Sequence, residues 1–399
     1  METKPANSKL NIQVILNPFF VYCISFLVAI ILYLFSWSDL YPPISLSLVI
    51  FLGVSFILFL SAGYFTGNLK TSKHNIRESE LFIVDILFII IIALAVADIV
   101  GTGYLPILNR QYDYKVFGVS VLDPLFNTLS IYFSLVFLNT FLSKKKIRFV
   151  LYCILLLIVQ VLILRRGTIV WMLTSWIFLI LLYVRRIPIK VIIAGILVIP
   201  IVSLLFGLYG NFRSNINEEM TLDGLGASSE FKDLNISHYH YMTYLYISSP
   251  LANLQKNIES GKNELDKKDF KSFLFYCIIP QSITARIKNI IKIREPDPEL
   301  ITPSLIVGSV YMLAFNTMGW LGVSILMVVI LIYLLLGMTV TEKIKYNSNE
   351  TYALLLNTTF LLIFDNLFVR LDVLLMLFVY PLLFNHLFKV ITLKRNKAG

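Results

Sequence analysis

Apolar runs long enough to cross a bilayer recur along this chain, and they limit its fold more than any other feature. A hydrocarbon layer about 30 Å thick is spanned by roughly 20 apolar helical residues. Runs of this kind occupy 18–37, 44–64, 81–100, 121–142, 149–164, 167–184, 189–208, 304–337, 351–367 and 373–388. Lipid offers backbone amides no partners, so each run must satisfy its own as a helix. The expected fold is an all-α polytopic membrane protein with about ten transmembrane helices. Of the 399 residues, 57% are hydrophobic and 15% charged, which is more apolar surface than a soluble core needs. The first run is too long for a signal h-region, and no small-residue cleavage site follows it. It reads as a retained span.

Basic residues choose the sides. They crowd into alternate connections: Lys70, Lys73 and Arg77; Lys144, Lys145, Lys146 and Arg148; Arg185, Arg186 and Lys190; Lys389, Lys394, Arg395 and Lys397. The short segments between hold only Arg110, Lys115, Arg165, Arg166 and Arg370. The crowded side is cytoplasmic, and both termini face it. The formal charge of +10 follows these sides, so it does not indicate nucleic acid. The three cysteines form no CxxC or Cys/His cluster, so neither a disulfide framework nor a metal site is indicated.

The domain reading is 1–208 for seven spans, 209–303 for a large outward loop, and 304–399 for three more spans and a basic tail. The run at 304–337 exceeds one span and is interrupted by "FNTMGW" at 315–320. It reads either as a tilted helix or as a re-entrant turn followed by a span.

Arg165 and Arg166 sit between spans five and six, followed by Gly167. They read as an interfacial pair reaching lipid phosphates, or as an anion site in an outward cavity. Arginine suits phosphate through its planar, bidentate fork. Asp98, Asp365, Arg370 and Asp372 fall at a similar depth. The loop opens with "LYGNFRSN", carrying Arg213, then Glu218 and Glu219. "SHYHYMTYLYISSPLANL" follows, with His238, His240, Tyr241 and Tyr244. A histidine can take a proton near neutral pH. Tyrosine faces stack on sugars, but tyrosines also populate membrane-interface belts. On a helix, His238, Tyr241 and Leu245 would share one face, and His240 and Tyr244 another. Pro250 reads as the first turn of a helix running to about Ile258. Residues 281–294 form an amphipathic pattern, with Ile283, Ile287, Ile290 and Ile291 on one face and Arg286 among the basic remainder. This reads as a helix in the outer interface, either as an anchor or as a basic shelf for a lipid phosphate.

Together the span layout, "RRG" after span five, "YGNFR" opening the loop and "YLYISSPLANL" within it resemble the Wzy-type O-antigen polymerases, the oligosaccharide repeat-unit polymerases. Some members carry an Arg-x10-Gly pattern, which Arg213 and Gly224 match once. The resemblance implies a fold similar to the membrane-embedded C-superfamily glycosyltransferases. It implies lipopolysaccharide biosynthesis at the periplasmic face of the bacterial inner membrane. The growing glycan would pass from undecaprenyl pyrophosphate to another lipid-linked repeat unit. Neither cofactor nor metal is expected. Expected partners are the lipid-linked oligosaccharide, membrane lipids and a chain-length-regulating membrane protein. Under this resemblance Arg165, Arg166, Arg213 and Arg286 would bind pyrophosphate. His240, His238 or Glu218 would act as base, and Tyr241 and Tyr244 would line the sugar site. An O-antigen ligase and a lipid-linked oligosaccharide flippase or other transporter are the alternatives.

Overall fold

The computed structural model describes residues 9–11, 13–67, 78–109, 116–184, 186–214, 222–260 and 269–396. The helices in chain order are α1 Pro18–Tyr33, α2 Leu46–Thr66, α3 Leu81–Thr102, α4 Leu122–Lys144, α5 Arg148–Leu162, α6 Arg166–Val184 and α7 Ile189–Ser214. They continue with α8 Ser229–Asp233, α9 His238–Glu259, α10 Phe270–Phe273, α11 Gln281–Ile291, α12 Met312–Lys343, α13 Ser348–Phe360, α14 Leu371–Leu374 and α15 Tyr380–Asn396. Two short strands, β1 Lys9–Asn11 and β2 Arg186–Pro188, pair antiparallel.

Among the described residues, 7 helices are long and apolar enough to cross a membrane. Pro18–Tyr33 and Arg148–Leu162 are shorter apolar helices at two further expected positions. The run at 351–367 holds α13, of 13 residues, continued by a 3-10 turn. α7 shows why lipid is the required solvent. Its window is apolar on every side, yet only 6% of it is buried inside the protein. Water would not tolerate that surface.

Local sequence sets the ends of several helices. Asn17 caps α1 by accepting from the amide of Phe19, and Pro18 follows at the first helical position. Ser45 caps α2 through the amide of Leu48. The long run at 304–337 is a broken helix that starts only at Met312. Gly319, with φ 60° and ψ −149°, interrupts it in a conformation that favours glycine. Pro250 proves to be interior to α9, which begins at His238, so the expected helix start at Pro250 is corrected. Ser237, thirteen residues before Pro250, caps the helix by accepting from the amide of Tyr239, and tertiary packing holds the proline within it.

The chain forms two compact units. The first comprises Met1–Asn68, Val184–Tyr333 and Thr358–Leu371. Its centre is α9, which packs against α1 and α7. Although rich in polar residues, α9 buries most of its length because partners meet its amides. The Asn253 side chain donates to the carbonyls of Leu305 and Val307 and accepts from the amide of Ile301. Asn257, one turn later, donates to the carbonyl of Glu299 and accepts from its amide. These two side chains hold the non-helical strap that leads into α12. The strap is also tied to α1, where the Tyr22 and Tyr311 hydroxyls meet at 2.8 Å.

The second unit comprises Leu69–Tyr183, Leu334–Asn357 and Asp372–Gly399. α4 is its central helix, packed against α3 and α5, with 67% of its apolar window buried.

Candidate functional site

The turn between α5 and α6 carries Arg165. Leu164 takes a positive φ of 62°, which reverses the chain there. The Arg165 guanidinium forms an ion pair with Asp123, at the start of α4, and both side chains are mostly buried. Its guanidinium carbon also lies 5.9 Å from the centre of the Phe117 ring. Asp98, at the end of α3, is fully buried and accepts from the amide of Val119 at 2.7 Å. Burial lowers the Arg165 guanidinium to about 10, and the charge of Asp98 acts in the opposite sense. Arg165 therefore stays cationic at neutral pH, faced by two carboxylates. Gly118 makes the approach possible. Its φ is +110°, and a Cβ there would lie 2.6 Å from Asp123. Arg166 is half-buried and opens α6, where the helix dipole favours anions.

The first two turns of α9 carry the histidines and tyrosines. His238 is buried, and its ring lies 4.0 Å from that of Tyr239. His240 sits on a different face. Its Nδ1 meets the Ser203 hydroxyl of α7 at 3.0 Å, leaving Nε2 on the opposite edge of the ring. The Thr243 hydroxyl donates to the Ser203 carbonyl at 2.8 Å. Gly207, one turn along α7, lets the two backbones close, since a Cβ there would lie 2.1 Å from the Tyr239 carbonyl oxygen.

Tyr241 and Tyr244 share a buried aromatic cluster. Tyr244 stacks on Tyr41 at 5.7 Å and on Tyr241 at 5.9 Å, with Trp37 at 5.2 Å. The Tyr241 hydroxyl donates to the Leu225 carbonyl at 2.7 Å. Burial pushes both phenols above their ordinary range. Their rings are occupied by one another, so they form a wall rather than an open stacking face. Tyr244, one turn after His240, packs into this buried cluster, whereas His240 meets Ser203 of α7.

The remaining site residues are dispersed. Arg213 lies in the last turn of α7, and its side chain is outside the described residues, as is Glu218 entirely. Arg165 and Arg166 belong to the second unit, and Arg213 and Arg286 to the first. Arg286 is exposed on α11. Ile283, Ile290 and Ile291 are also exposed on that helix, while Thr284 anchors it by donating to the Phe275 carbonyl at 2.6 Å. An amphipathic helix whose isoleucines point away from the protein fits a lipid interface.

Sequence reasoning missed two groups. Asp123 lies at the edge of span four, 42 residues before Arg165 in the chain. Glu350 lies just before the run at 351–367, yet is 1% exposed. Its spacing with Asn347 and Asn357 was a readable sign of a polar stripe. Asn357 is fully buried and donates to the Trp171 carbonyl and the Ser175 hydroxyl of α6. Among the described residues no group of three or more His, Cys, Asp or Glu side chains is arranged to hold a metal ion.

Fold and composition define a helical membrane protein with apolar helices long enough to span. No family model matches the chain, and neither a curated protein nor a solved structure matches it.

Proposed function

We propose that this chain is a membrane-embedded glycosyltransferase that polymerises lipid-linked oligosaccharide repeat units, with ten spans and its active face on the periplasmic side of a bacterial inner membrane. The observation that carries the reading is the setting of His240. Its ring is oriented by Ser203 of the apolar helix α7, so a titratable group stands beside a candidate span. The same unit includes α11, which presents exposed isoleucines together with Arg286.

In this reading the acceptor hydroxyl oxygen attacks the anomeric carbon of the donor glycan. His240 Nε2 takes the hydroxyl proton, and the lipid diphosphate departs with the bonding electron pair. Cationic groups stabilise the charge that develops on the leaving group. Asp123 already neutralises Arg165, so Arg286, in the same unit as His240, carries more of that task.

The test is reconstitution with lipid-linked repeat units and a gel readout of chain length. Arg286→Ala and His240→Ala should each reduce the ladder to single units while protein level in the membrane is unchanged. Full ladders from both variants would refute the proposal. In cells, loss of a polymerase leaves single units on the lipid A core, whereas loss of a ligase leaves the core bare. The buried polar stripe of α13 favours a second reading, transport of a lipid-linked oligosaccharide. That reading expects donor to accumulate on the inner leaflet when the stripe is altered.

A further inference from the structure

The second unit buries a carboxylate that the glycan reading does not use. Glu350 stands in the first turn of α13, and Asn347 immediately precedes that helix. Tyr132 and Asn139 face them from α4, two turns apart on one side of that helix. Glu350 is 1% exposed, Asn139 6%, and Asn347 and Tyr132 0%.

The hydrogen bonds here leave acceptors without donors. Asn139 Nδ2 donates to Glu350 Oε1 at 2.6 Å. Asn347 Nδ2 donates to the Tyr132 hydroxyl and to the Pro381 carbonyl. Glu350 Oε2, Asn139 Oδ1 and Asn347 Oδ1 are buried with no hydrogen-bond partner among the described residues. Reversing the Asn139 amide would only set its oxygen against Oε1. Among the described residues no ion pair supplies Glu350 with a counter-charge.

Buried acceptors of this kind need a positive partner. A proton on Oε2 would provide a donor for one amide oxygen. A sodium ion would meet the same need, because hard cations prefer carboxylate and amide oxygens. We propose that Glu350, Asn139 and Asn347 form a binding site for a small monovalent cation inside the second unit. Sodium and the proton compete there for one carboxylate. The other titratable groups that sense Glu350 are the phenols of Tyr132 on α4 and Tyr183 on α6.

The experiment is thermal unfolding of the full chain in detergent. Sodium chloride is titrated against choline chloride at constant ionic strength. Site occupancy by sodium should give a saturable rise in unfolding temperature that choline does not reproduce. About tenfold more sodium should be needed for each pH unit removed. Glu350→Gln should abolish the response, and Asn347→Ala should weaken the sodium midpoint severalfold. A pH-dependent shift without a sodium response, lost in Glu350→Gln, would identify the proton as the occupant. Wild-type unfolding indifferent to sodium, with a pH profile matching that of Glu350→Gln, would overturn the proposal. If Glu350→Gln fails to fold, the same wild-type titrations and Asn347→Ala decide: indifference to both sodium and pH overturns it.

Discussion

Asn253 donates to the carbonyl of Leu305 at 2.7 Å, linking a helix to a strap 52 residues further along the chain. The same side chain serves Val307 and Ile301, so one amide satisfies three backbone groups. Asn253→Ala would leave those groups buried and unmet. The expected loss is about 2–4 kcal/mol, with Asn253→Asp intermediate because it keeps only the acceptor. Detergent-solubilised unfolding measures the loss, and limited proteolysis within 293–311 locates it.

The Arg165 pair separates a structural role from a functional one. Arg165→Ala leaves Asp123 and Asp98 without their cation, at an expected cost of about 1–3 kcal/mol. Adding Asp123→Asn should recover at least half of that stability. Restored stability with the glycan ladder still absent would assign Arg165 to the diphosphate. Recovery of both would leave it a purely structural ion pair.

Gly207 and Gly53 should respond oppositely to alanine. At Gly207 the new methyl meets the backbone of Tyr239, which has no room to yield, so Gly207→Ala should separate α7 from α9. The expected destabilisation is about 3 kcal/mol or more. Gly53, inside α2, has nothing within 4 Å of the same methyl. Gly53→Ala should be neutral or stabilising by up to about 1 kcal/mol. Paired unfolding curves test both.

Asp269 should make stability acid-sensitive. Burial raises its carboxyl, but bonds from the Ser272 hydroxyl and amide, the Lys271 amide and the charge of Arg294 outweigh that and lower it. A depressed folded-state pKa stabilises above the unfolded value, about 3.9. The contribution is lost as pH falls through the folded value. Asp269→Asn should therefore lower stability at neutral pH and flatten the acid limb of the unfolding profile.

The helix positions were largely legible, because lipid forces each apolar run to satisfy its own backbone. The amphipathic pattern at 281–294 likewise reappears as α11, Gln281–Ile291, with its isoleucines turned outward. α9 was less legible. Its polar sequence read as part of an outward loop with a helix starting only at Pro250, yet it lies at the heart of its unit. The groups that permit its burial come from the strap at 299–307, and no local pattern announces that pairing. Arg165 was visible as an exception in an apolar context, whereas its partner Asp123, 42 residues away, was not.

The sequence by itself determined that this is a helical membrane chain, where its long helices run, and which helix offers isoleucines to an interface. Those properties follow from short-range hydropathy and the cost of bare amides in hydrocarbon. Only the tertiary structure decided that Tyr241 and Tyr244 face each other, that Asp123 neutralises Arg165, and that Glu350 is sealed beside Asn139. Each of these depends on which distant side chain occupies the adjoining space, and local spacing carries no record of that.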